Sequence, residues 1–192
     1  MYLYEKIEYN GHNINIYYDE SPLDPRRDFD NLGTLYTAHR RYRPEKEFDE
    51  HFTVEEVFED RWCSDFKESF LRRYIVVPVY LYDHSGLTVS TTPFSCPWDS
   101  GLFGILAVSL DKVRKEYGWK RITAERRATI EGYLRGEVKT LDQYYTGEVY
   151  GFEVTPENDD KDVIESCWGF FGKEGLEQLI DECKYMIDNK AA

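Results

Sequence analysis

The run from Tyr74 to Gly104 constrains this chain more than any other stretch. Tyr74 to Tyr82 (YIVVPVYLY) is rich in aromatic and β-branched residues and reads as a buried strand. Asp83-His84-Ser85-Gly86 has the composition of a tight turn, and Leu87 to Thr92 returns as a second strand. The loop that follows, Pro93 to Gly101, crowds Ser95, Cys96, Trp98, Asp99 and Ser100 together. A sheet must form around these strands, and the polar loop at their end is the first place to look for a site.

The surrounding sequence punctuates itself. Leu3 to Tyr9 and His12 to Tyr18 flank Asn10-Gly11, the dipeptide that best supplies two positive-φ residues for a type I′ hairpin. Asp19 to Asn31 reads as an irregular loop, followed by a short strand over Leu32 to Ala38. Thr53 with Glu56 makes a capping box, so a helix is expected from Val54 to Arg72 or Arg73, with a break near Cys63 to Ser64 allowed. Its buried residues would be Val57, Phe58, Trp62, Phe66, Phe70 and Leu71.

Leu102 to Val108 then reads as a further strand, and Ser109 caps a short helix that ends at Gly118. Thr123 caps a long helix to about Tyr145, in which Ile130, Leu134, Val138, Leu141 and Tyr145 recur at helical spacing. A second hairpin (Glu148 to Thr155, Val163 to Phe171) and a helix from Lys173 to Asn189 complete the chain. Strands mixed with three or four helices, without a βαβ rhythm, predict one α+β domain over residues 1–192. Its sheet would be largely antiparallel, with the N- and C-terminal hairpins packed by the helices.

Charge narrows the function. There are 37 Asp and Glu against 24 Lys and Arg, a net charge of -13. A field of that sign disfavours direct nucleic-acid binding and favours basic surfaces, although solubility alone also selects acidic surfaces. Mean hydropathy is -0.64 and no apolar run approaches the roughly 20 residues a membrane span requires. The opening Met1 to Lys6 lacks the basic and apolar regions of a secretory signal, so a cytoplasmic protein is expected. Cys63, Cys96, Cys167 and Cys183 never form CxxC, which predicts reduced, mostly buried thiols and argues against zinc. No nucleotide-phosphate motif is present, and no cofactor is expected.

The segments DNLGT (Asp30 to Thr34), HRRY (His39 to Tyr42), YDHSG (Tyr82 to Gly86), TTPFSCPWDSG (Thr91 to Gly101), YYTGEVYGF (Tyr144 to Phe152) and SCWGF (Ser166 to Phe170) span most of the chain. In them it resembles a family of small acidic proteins encoded in bacteriophages and other mobile elements, of which SCPWDSG is the most distinctive motif. The resemblance implies a genetic setting rather than an activity. In that setting acidic accessory proteins antagonise host restriction or CRISPR machinery.

Two site readings follow. The leading one is a non-enzymatic inhibitor, of the anti-CRISPR or anti-restriction type and including the DNA mimics, acting in the host cytoplasm. It would bind a basic, nucleic-acid-handling host defence protein through carboxylates that meet the Lys and Arg normally bound to phosphates. The rows expected to do this are Glu45 to Glu68, with ten Asp or Glu, and the Glu153 to Glu165 hairpin tip. Glu55, Glu56, Glu59, Asp60, Asp159 and Asp160 are the expected contacts, with Trp62 and Trp98 as aromatic anchors. The alternative is a hydrolase acting on a nucleotide, small molecule or phosphodiester, with Cys96 as nucleophile, His84 or His39 as base, and Asp99 or Asp83 orienting that base. The bland reading of the same residues is a hairpin turn whose Asp and Gly serve the backbone.

Overall fold

The computed structural model describes residues 1–60, 65–96 and 98–190. In chain order the strands are β1 (Leu3–Tyr9), β2 (His12–Tyr18), β3 (Thr34–Thr37), β4 (Lys46–Glu47), β5 (Tyr74–Asp83), β6 (Leu87–Ser90), β7 (Ser100–Ser109), β8 (Val149–Pro156) and β9 (Glu165–Phe171). The helices are α1 (Val54–Val57), α2 (Glu68–Leu71), α3 (Leu110–Tyr117), α4 (Ala124–Thr146) and α5 (Gly172–Lys190). The class is α+β, and every strand pair is antiparallel except β3 with β4. Where the sequence suggests one sheet, the strands form two. The chain divides into two compact units, a terminal one (Met1–Leu23 with Gln143–Ala192) and a central one (Asp24–Asp142).

In the terminal unit the order β1-β2-β8-β9 brings the first and last hairpins into one sheet. Asn10 and Gly11 adopt φ of 45° and 74°, as the type I′ turn demands. Alternation along β2 and β8 sends Ile14, Ile16, Phe152 and Val154 into a core with Leu179, Cys183 and Ile187 of α5. The next residues in register, Asn13 with Thr155 and Asn15 with Glu153, lie on the other face. There the Trp168 ring lies on Gly151, where a Cβ would come within 2.0 Å of it. Only glycine lets the indole lie flat against that strand.

In the central unit the order is β4-β3-β7-β5-β6, with the expected hairpin strand β5 paired to both β6 and β7. Phe48, Phe52, Val57, Phe58, Phe70, Val76, Ile105 and Ala107 pack as one cluster. Ile130, Leu134, Val138 and Leu141 of α4 are buried, as their spacing predicts. Arg127 of α4 donates to the carbonyls of Tyr74 and Leu71 at 3.0 and 2.8 Å, and Asp142 accepts the Val89 N–H at 2.8 Å. α4 is thereby fastened to both β5 and β6.

Two expectations need correction. The helix expected from Val54 to Arg72 or Arg73, with a break allowed near Cys63 to Ser64, is present as two single turns, α1 and α2. The Thr53–Glu56 capping box forms, but Phe58 leaves the helical region and makes an antiparallel bridge with Phe66. Those rings stack at 5.5 Å between centroids. On a continuous helix, eight residues would hold them about 12 Å apart along the axis, so helix and stacking exclude each other. The thiols are also less buried than expected: Cys183 is buried, Cys96 is half-buried and Cys167 is exposed. Cys63 lies outside the described residues.

Candidate functional site

Hydrogen bonds tie the polar turn and the loop to each other. Asp83 N–H donates to the Asp99 carbonyl at 2.9 Å, His84 N–H donates to Gly86 at 3.1 Å, and the Ser100 hydroxyl donates to the Cys96 carbonyl. Tyr82 pairs with Ser100 across β5 and β7, so the turn and the loop meet at one end of the central sheet.

That closure brings His84, Cys96 and Asp99 together, as the sequence suggests, but in an order that matters. Asp99 Oδ2 lies 3.3 Å from His84 Nδ1 and 3.8 Å from Cys96 Sγ. A nucleophilic relay needs the imidazole in the middle, taking the thiol proton while the carboxylate holds its far nitrogen. Here both the imidazole and the thiol meet the same carboxylate oxygen, with the thiol as its donor. His39 is engaged elsewhere: its Nδ1 accepts the N–H groups of Arg41 and Tyr42, both at 3.3 Å, and its ring stacks on Tyr42 at 5.0 Å. The group that accepts from the Cys96 thiol is thus the Asp99 carboxylate.

Beside this corner is an open cleft of about 370 Å³, with Leu81 and Phe103 among its apolar lining and Arg41, Asp83, Trp98 and Asp99 among its polar and aromatic lining. Arg41 donates to Asp83 Oδ2 at 3.2 Å and lies over the Tyr42 ring at 5.6 Å, while the Tyr42 hydroxyl donates to the same oxygen at 3.3 Å. Trp98 is 92% exposed. Among the described residues no group of three or more His, Cys, Asp or Glu is placed to hold a metal ion.

The expected acidic contacts are divided between the two units. Glu55, Glu56, Glu59 and Asp60 are exposed in the central unit, on one helical turn and the residues after it rather than along a helix face. Glu56 is partly consumed, because its carboxylate accepts the Thr53 N–H at 3.0 Å. Trp62 lies outside the described residues. In the terminal unit Asp159 accepts the Lys161 N–H at 3.0 Å, and Asp160 accepts from Lys6 at 3.3 Å and Asn13 at 3.0 Å.

Sequence reasoning missed how unevenly the charge is shared. The terminal unit holds 16 of the 37 acidic residues but only 5 of the 24 basic ones, a net charge of -11, which leaves -2 for the central unit. On α5, Glu174, Glu177, Asp181 and Asp188 recur at helical spacing with Tyr185, all of them exposed. The fold and these surfaces define an acidic α+β protein with one strongly negative unit and one nearly balanced unit that bears an open cleft. No family model, curated protein or solved structure matches the chain. Among the described residues no helix is long and apolar enough to cross a membrane.

Proposed function

We propose that this protein is a non-enzymatic inhibitor that binds a basic, nucleic-acid-handling protein of host defence, with the terminal unit as its contact surface. The observation that carries the reading is the net charge of -11 on that unit. Of its five lysines, Lys6 is paired to Asp160, Lys173 to Glu177 at 3.6 Å, and Lys184 lies over the Tyr9 ring. The carboxylates of α5 and of the 157–162 loop therefore dominate its field, and such a field speeds encounter with the Lys and Arg that otherwise meet phosphates. The resemblance to phage-encoded acidic proteins supplies the setting, as an analogy. The weight moves from Glu55, Glu56, Glu59 and Asp60 to Asp159 and the α5 face, because the former sit in a unit whose charges nearly cancel.

The test is capture from host lysate on the immobilised protein, eluted in steps with salt and then with duplex DNA. We expect a basic DNA- or RNA-processing protein, released by both. Capture of nothing, or of a protein indifferent to both eluents, overturns the reading.

A further inference from the structure

We propose that the cleft beside Trp98 is a binding site for a guanidinium group, the side chain of an arginine presented by a partner. The site lies wholly within the central unit, goes beyond the reading of the acidic surface, and stands if that surface has no partner.

Trp98 carries the argument first. At 92% exposed it is the barest of the large apolar side chains among the described residues, ahead of Tyr2 at 75%. The residue after it is tied to β5, because the Asp99 carbonyl accepts the Asp83 N–H at 2.9 Å. An indole face in that position attracts a cation through its quadrupole and offers a flat surface for stacking.

The next residue supplies the counter-charge. Asp99 Oδ2 is shared by His84 and Cys96, while Oδ1 meets no hydrogen-bond donor among the described residues. Trp98 and Asp99 both line the cleft, and among the described residues Asp99 is paired with no lysine or arginine. The same cleft shows what such a pair holds, because Arg41 is gripped there by Asp83 and lies over Tyr42. Asp99 and Trp98 bring the same two groups, a carboxylate and an aromatic ring, to that cleft. A planar, weakly hydrated guanidinium stacks on indole and can fork onto a carboxylate, whereas an ammonium holds its water more tightly. An anion would have to approach Asp83 and Asp99, and the one lysine or arginine lining the cleft, Arg41, is already paired.

The experiment follows the indole N–H resonance of Trp98 in a ¹H–¹⁵N spectrum, assigned with Trp98→Phe. The full chain is titrated separately with N-acetyl-arginine methylamide, N-acetyl-lysine methylamide and inorganic phosphate. We expect saturable movement with the arginine compound, binding several-fold weaker with the lysine compound, and none with phosphate. Asp99→Asn should weaken arginine binding about tenfold, the scale of a lost charge-assisted hydrogen bond. Should Asp99→Asn disturb the loop, Trp98→Ala removes an exposed side chain, and the Gly101 amide must then cease to respond to arginine. An unmoved indole, a response to phosphate, or arginine binding that survives both substitutions overturns the proposal.

Discussion

Arg26 shows how much one side chain can organise. It is 2% exposed, yet it donates to Glu45 at 2.6 Å, Glu137 at 2.8 Å, Asn31 at 3.0 Å and the Gly33 carbonyl at 2.8 Å. Its partners are themselves tied down, Glu137 by the N–H groups of Leu32 and Gly33, and Glu45 by that of Leu35. Removing the cation strands two carboxylates in a largely buried place, so Arg26→Met should cost about 3–5 kcal/mol in urea unfolding. A loss below about 1 kcal/mol would show that water reaches those carboxylates. From sequence, Arg26-Arg27 is merely a basic pair in a loop, and nothing in the pattern distinguishes the buried arginine from its exposed neighbour. Cys183 gives a second residue-scale expectation. Burial, then the charges of Glu182 and Cys167, push its thiol from 9.0 up to about 12. Between those values the folded chain keeps a proton that the unfolded chain has released, so stability is intact below pH 9 and falls as pH rises towards 12. Wild type should therefore lose stability faster than Cys183→Val between pH 8 and 10.5, by at most about 1.4 kcal/mol per pH unit. Parallel curves would contradict the shift.

At the scale of elements, what was legible was whatever local chemistry decides. Ser109 accepts the Lys112 N–H at 3.1 Å and Gly118 closes α3 at φ 64°, each in the role its residue type predicts. Ser109→Ala should accordingly cost about 1 kcal/mol, read as a shifted unfolding midpoint at unchanged slope. An unchanged midpoint would mean that the α3 start is held by tertiary contacts instead. The segment between α1 and α2 was not legible for the converse reason. Val57, Phe58, Phe66 and Phe70 fit a helical period and also fit two turns around a stacked pair. A capping box marks where a helix starts and says nothing of where it stops. Where α1 stops, Phe58 packs between Phe66 and Phe48, ten residues upstream, whose ring stacks on it at 6.1 Å. The grouping of His84, Cys96 and Asp99 could be anticipated because a turn and the following loop are close along the chain. Which of them lies in the middle depends on ångström-scale geometry that composition does not carry.

For the whole molecule the decisive feature is the division of charge. It was present in the sequence but hidden, because the acidic C-terminal stretch and the first 23 residues become one unit only through the pairing of β2 with β8. An excess of carboxylates on one unit raises encounter rates with a basic partner, and those rates fall with salt. The most direct measurement compares association rates of two charge-reversed proteins with the captured partner at low and high ionic strength. One carries Glu174→Lys, Glu177→Lys and Asp181→Lys on α5, and the other Glu55→Lys, Glu59→Lys and Asp60→Lys in the central unit. The first should associate about tenfold more slowly at low salt and lose most of its salt dependence, with the second within about twofold of wild type. Equal losses, or a larger loss in the second protein, would contradict the assignment of the contact to the terminal unit.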